Sequence, residues 1–277
     1  MLWPVRTPLL ALPALTLLGL MVACTPETGA AEGPPTPDPG EYLPGLSAQV
    51  DLPEGDPAAV VVLVPGGGWS SADPTGLRPL AVNLTEAGLA VVTITYETSA
   101  TGDYYPRPVD DVACAGAYAA VQVPDVPVVL VGHSAGAHLV VMAGLRPDRD
   151  DVRCQYPEHA ADGVVGLAGP YDVSLATDVS RNLFGVPETA DPGLWRDGNP
   201  FTWAEERPDL PFLLAHGESD SSVAVFFTTD LAAALTAGGH EVAVELLPDV
   251  THLSIFEPDV IGGPLVEWIS STFPAPA

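Results

Sequence analysis

Residues 126–145 read VPVVLVGHSAGAHLVVMAGL, and this stretch decides the fold. Residues 126–131 form a short apolar, β-branched run of strand length. Residues 135–145 are apolar and long enough for a buried helix. Between them stands Gly132-His133-Ser134-Ala135-Gly136, a G-x-S-x-G pentapeptide. Small residues recur by chance, so the setting carries the weight. A strand before and a helix after form the context in which this motif makes a sharp turn with a strained serine at its tip. Ser134 is thereby presented above the sheet, and the helix N-terminus behind it favours developing negative charge.

On either side of this stretch, other continuous apolar runs suit strands buried on both faces of a parallel sheet. They are 58–64 (AAVVVLV), 89–96 (LAVVTITY), 164–167, 211–215 and 242–247. Helical patterns lie between them at 75–87, 110–121, 226–237 and 258–272, with Gly238-Gly239 as a helix stop. From about Leu46 the alternation predicts a doubly wound, mostly parallel α/β sheet. Residues 171–208 hold no strand pattern but contain Phe184, Trp195, Phe201 and Trp203. They are expected to form a small helical cap, or a surface excursion packed by its own aromatics.

Pro65-Gly66-Gly67-Gly68-Trp69 follows the strand at 58–64. Three glycines let the backbone bend close to a ligand with its amides free, which suits stabilisation of an oxyanion. A base must come from six histidines. His133 lies inside the elbow and is expected to point elsewhere, and His138 to pack on the following helix. His159 and His240 sit in polar loop contexts, and His216 is expected to shape its own loop. His252, after the last strand, fits the chain order serine, acid, histidine. The acid belongs after the strand at 211–215, where Asp220 and Glu218 compete.

At these residues the chain resembles the α/β-hydrolase esterases, closest to the group of hormone-sensitive-lipase-like carboxylesterases, feruloyl-esterase-like hydrolases and kynurenine formamidase. The shared features are the glycine loop Gly66 to Trp69, the elbow Gly132 to Gly136, and the acid loop His216 to Val223. The stretches 105–119 and 169–172 also look familial. The resemblance spans roughly residues 57–268. It implies Ser134 as nucleophile, His252 as base, Asp220 rather than Glu218 as acid, and the amides of Gly67, Gly68 and Ala135 as oxyanion hole. Two positions depart from the pattern. Pro65 replaces the usual histidine before the glycines, and Asn199-Pro200 stands where Ser-Pro is common.

The resemblance implies a serine hydrolase of short-chain or aryl carboxylic esters. Two rivals share the scaffold: an amide hydrolase such as a formamidase, and a catalytically silent surface binding module. No cofactor or metal is expected, since no nucleotide-binding glycine fingerprint and no cluster at metal-ligand spacing occurs.

Nine basic residues, all arginine, face 36 acidic ones for a net charge of -27. That balance repels nucleic acid and anionic lipid, leaving a small-molecule ester as the expected partner. The first 23 residues fit a secretory signal, its apolar run of residues 9–23 being short of the ~20 a span needs. It ends Met21-Val22-Ala23-Cys24, as a lipobox does. The expectation is cleavage before a lipidated Cys24, export, and attachment to the outer face of a bacterial membrane through that lipid alone, an ordinary signal peptide that happens to contain a cysteine being the alternative. Residues 24–45, rich in Pro, Gly, Glu and Thr, read as a disordered tether, with the catalytic domain at 46–277. The remaining Cys114 and Cys154 are expected to pair in an oxidising compartment, two buried thiols being the alternative.

Overall fold

The computed structural model describes residues 1–4, 40–147 and 151–274. The chain divides into two compact units, 1–33 and 34–277. Only residues 1–4 of the first are described, and the second carries the sheet. Cys24 lies outside the described residues.

Eight strands form one sheet: β1 (Glu41–Leu43), β2 (Leu46–Asp51), β3 (Val60–Val64), β4 (Ala90–Ile94), β5 (Val128–His133), β6 (Gly163–Leu167), β7 (Phe212–Gly217) and β8 (Val242–Leu247). Their order is β1-β2-β4-β3-β5-β6-β7-β8. β1 and β2 pair antiparallel and β2 joins β4 antiparallel. From β4 to β8 every pairing is parallel. This is the α/β-hydrolase fold.

The all-apolar strands are explained by helices on both faces. On β3, Val60, Val62 and Val64 point into one core and Val61 and Leu63 into the other. The first core is closed by α2 (Arg107–Gln122), α3 (Ala135–Leu145) and α6 (Phe226–Gly238), the second by α1 (Arg78–Glu86) and α7 (Gly263–Thr272). Every residue of α3 is buried, as expected of a helix that is apolar all round.

The structure corrects two expectations. A tether running through residue 45 is too long, because Glu41–Leu43 is a strand, with Tyr42 0% and Leu43 1% exposed. The folded domain therefore includes residues ahead of Leu46. Its signal is local and short: in the neighbouring β2, Leu46, Ala48 and Val50 alternate with polar residues, the pattern of a strand with one face turned to the core. Second, the helix expected at 258–272 begins as a π turn over Pro258–Gly262 before α7.

Residues 171–208 carry α4 (Thr177–Phe184), α5 (Pro192–Asp197) and a 3-10 turn at Pro200–Trp203. They are packed by their own aromatics: Phe184 and Trp195 stack with centroids 4.5 Å apart. They are also tied to the sheet helices, since His138 of α3 donates through Nε2 to the Gly198 carbonyl at 2.9 Å. Cys114 of α2 is bonded to Cys154, with Cα atoms 5.6 Å apart.

Strand order positions the site. The chain leaves β3 for β4 on one side, then crosses to β5 on the other. The loops after β3 and β5 thus diverge at a topological switch point, where crevices open at the carboxyl ends of strands.

Candidate active site

Ser134 follows β5 and precedes α3. Its backbone sits at φ 52°, ψ -119°, a region an L-residue occupies only when surroundings force it. Two constraints do so. Ser134 donates its amide to the Leu167 carbonyl of β6 at 2.8 Å. The elbow also lies against β3, where a Cβ at Gly136 would come within 2.4 Å of the Val64 carbonyl oxygen.

The structure brings three of the expected residues into one hydrogen-bonded line. Ser134 Oγ lies 3.0 Å from His252 Nε2, and His252 Nδ1 lies 2.7 Å from Asp220 Oδ2. The Asp220 side chain is fully buried, and its other oxygen accepts from the amides of Ser222 at 2.7 Å and Val223 at 2.9 Å. Burial pushes this carboxyl up, but the Val223 amide, the His252 ring and the Ser222 amide together hold it below its ordinary value. An ionised Asp220 fixes the proton on His252 Nδ1 and leaves Nε2 free to accept from the serine hydroxyl. Glu218, the competing acid, is exposed and is not in this line.

His216 sits fully buried behind Asp220. Its Nε2 donates to the Val223 carbonyl at 3.0 Å and its Nδ1 accepts from Thr228 Oγ1 at 2.7 Å, which ties the acid loop to α6. His133 does not approach the serine oxygen but reaches the His252 loop. His240, expected in a polar loop, is instead buried, its Nδ1 donating to the Leu210 carbonyl at 3.0 Å. Burial holds His133 and His138 down to about 4, so both are neutral where esters are ordinarily turned over.

The glycine loop after β3 lies beside Ser134. Gly67 and Gly68 both have positive φ, 138° and 57°, and neither amide donates to another described residue. The Gly67 carbonyl accepts from the Ser70 and Ser71 amides at 3.1 and 3.2 Å and from Ser70 Oγ at 3.1 Å. The Gly68 amide shares that peptide plane, so these bonds aim it the opposite way. Tyr96 Oη donates to the Pro65 carbonyl at 3.0 Å, and Ser99 donates its amide to the Trp69 carbonyl at 3.0 Å. Ala135, the first residue of α3, has no helical acceptor for its amide. Sequence reasoning finds the glycines but misses these braces, because Tyr96 and Ser99 lie a strand and a helix away in the chain.

Ser134 stands between two recesses. One, of about 470 Å³, runs under α4 and is walled by Leu175, Val179, Val223 and Phe227. The other, of about 340 Å³, lies between the glycine loop and the His252 loop and includes Asp73, Leu77, Leu253 and Phe256. A larger cavity of about 690 Å³ lies beside the disulfide, bordered by Asp110, Asp151 and His159. It touches none of the three aligned residues, so size is a poor guide to the chemistry here.

Comparison with known proteins agrees with this fold. The family model BD-FAE matches residues 49–235. The chain is 29% identical to the esterase LipQ of Mycobacterium tuberculosis over 231 residues, covering 76% of this chain and 54% of that protein. It is 31% identical to the esterase LipC of the same organism over 207 residues, covering 68% and 50%. It thus spans about half the length of these curated relatives. Among solved structures, a truncated carbohydrate esterase from gut microbiota superposes with a TM-score of 0.70 at 19% identity, covering 82% of this chain and 90% of that one. The Est2 esterase of Thermogutta terrifontis gives 0.64 at 17% identity, covering 84% and 92%.

Proposed function

Because this chain belongs to the BD-FAE family, we propose that it is a serine esterase acting through an acyl-enzyme on Ser134. The single observation that carries this reading is the line Ser134–His252–Asp220, at 3.0 and 2.7 Å. In the reaction, His252 Nε2 takes the hydroxyl proton as Ser134 Oγ attacks the ester carbonyl. The amides of Gly67, Gly68 and Ala135 receive the oxyanion. Such donors act at full strength because they are already aimed and need no reorganisation. His252, now an imidazolium beside ionised Asp220, returns its proton to the leaving alcohol. It then activates water to release the acid from Ser134.

The apolar recess under α4 fits a short-chain or aryl group. The strongly acidic chain disfavours anionic substrates, so the substrate class is an uncharged carboxylic ester. Nucleic acid is no partner of so acidic a chain. Export and a lipid on Cys24 complete the proposal, supported by the sequence of residues 9–24.

The test is hydrolysis of aryl esters of rising acyl length, with an aryl amide in parallel. Ser134→Ala should lower kcat by about 10⁶ and Asp220→Asn by about 10⁴, since the amide no longer fixes the imidazole tautomer. Both variants should keep the parent's circular dichroism. Activity of Ser134→Ala within tenfold of the parent would end the assignment. Faster cleavage of the amide would move the substrate class.

A further inference from the structure

Gly68 is a glycine at positive φ whose amide the esterase reading places in the oxyanion hole. Two peptide planes flank it. The first carries the Gly68 N–H, the second the Gly68 carbonyl and the Trp69 N–H, and holding the second sets the turn that brings Ser70 and Ser71 back to the first. The plane before it is held from within the loop, through Ser70 and Ser71 on the Gly67 carbonyl. The plane after it is held from outside: Asn182 Nδ2 of cap helix α4 donates to the Gly68 carbonyl at 2.9 Å. The same helix presses on the spot from a second direction, since a Cβ at Gly68 would lie 3.1 Å from Val179 Cγ2. Helix α4 also walls the recess beside Ser134 through Val179.

We propose that Asn182 is a positioning residue: by clamping the Gly68 carbonyl it lets the docked cap helix complete the oxyanion hole. Without the clamp, glycine's freedom at positive φ lets the Gly68 carbonyl swing; the turn that carries Ser70 and Ser71 then loosens its hold on the Gly67 carbonyl, and the Gly68 amide on that same plane loses its aim at the oxyanion. The cap is then part of the catalytic geometry as well as a wall of the cleft. This inference rests on the esterase reading.

The experiment compares Asn182→Ala and Asn182→Asp with the parent in ester turnover, counted per serine titrated by a fluorophosphonate, so that misfolded protein drops out. Aspartate keeps the shape of asparagine and loses the donor. In Asn182→Ala kcat should fall about tenfold, the loss of one positioned hydrogen bond, with KM within about threefold. Asn182→Asp should be at least as impaired, because an acceptor then faces an acceptor. Inhibition by phenylboronic acid, whose tetrahedral serine adduct places an oxygen in the hole, should weaken by the same factor as kcat/KM, while inhibition by toluene, which has no oxygen to place there, should not. A kcat within twofold of the parent in both variants, or a loss confined to KM, would overturn the clamp. An inactive parent would instead end the esterase reading; phenylboronate binding, read directly by tryptophan fluorescence, then judges the clamp, and equal affinity in parent and both variants overturns it.

Discussion

His133 holds the backbone of His252: its Nε2 donates to the His252 carbonyl oxygen at 2.8 Å, and the two rings lie 4.8 Å apart. A carbonyl only accepts, so the proton of His133 is on Nε2. Burial and the neighbouring His252 hold the His133 ring down to about 4, so it stays a neutral prop. Phe256 packs against its edge with centroids 4.8 Å apart. The residue inside the elbow therefore steadies the loop that carries the base.

His133→Ala should lower kcat about tenfold, as the loss of one buried hydrogen bond permits, while Ser134 remains fully titratable by a fluorophosphonate. Steady-state kinetics at several pH values would check it. An unchanged kcat would mean that the loop of residues 249–254 is held by its own bonds, such as that from the Thr251 amide to Ser254 Oγ at 2.8 Å.

Stability should fall as the solution is acidified from pH 6.5 towards 4. His133 and His138 both have folded values near 4, below the 6.5 of an unfolded histidine. Their contribution is therefore present above 6.5 and lost as pH falls towards 4, because the unfolded chain takes up protons the folded one refuses. Each site adds a slope of about 1.4 kcal/mol per pH unit within that window. Urea unfolding across this range should show a correspondingly shallower slope in His138→Gln, which can keep the hydrogen bond to Gly198 without a titrating ring. An unaltered slope would contradict the buried neutral state.

Replacing Cys114 and Cys154 by alanine should lower thermal stability. The bond closes a separation of 40 residues, worth about 4 kcal/mol on the chain-entropy account and about 10 °C for a domain of this size. Next to it, Arg153 reaches the buried carboxylate of Asp111 on α2 at 2.8 Å. The disulfide and the ion pair thus fasten the same segment to the same helix. Calorimetry of the double variant, with Arg153→Ala for comparison, checks the magnitude. A fall of less than 2 °C would show that the ion cluster alone suffices.

The anchor at Cys24 has its own test. Expressed in full in a bacterial host, the parent should fractionate with membranes and its N-terminal peptide should carry acyl mass. Cys24→Ala should do neither. Equal release of both forms into the medium, with unmodified N-termini, would remove the anchor from the proposal.

The sequence by itself determined the sheet and the elbow. Strands buried on both faces must be apolar throughout, so β3 to β7 stand out as runs, while the run of β8 belongs to a far edge strand whose Val244 and Leu246 are exposed; G-x-S-x-G between a strand and a helix admits few other readings. The disulfide partners are legible because only two cysteines remain after Cys24. Tertiary structure decided the rest. β1 is an edge strand of only three residues, and β2 beside it has one buried face that gives only a short alternation, so the sequence pattern draws the domain too small. His240 looks polar in the chain because its neighbours are Gly239 and Glu241, and its burial comes from Leu210 and Phe212, some thirty residues away. Resemblance favours Asp220 over Glu218; in space the reason is physical, since one side chain turns inward to two amides and an imidazole and the other faces water. The braces of the glycine loop, Tyr96, Ser99 and Asn182, carry no motif at all. A hydrogen bond between residues 114 positions apart, as from Asn182 to Gly68, exists only once the sheet order and the cap have brought the two segments together.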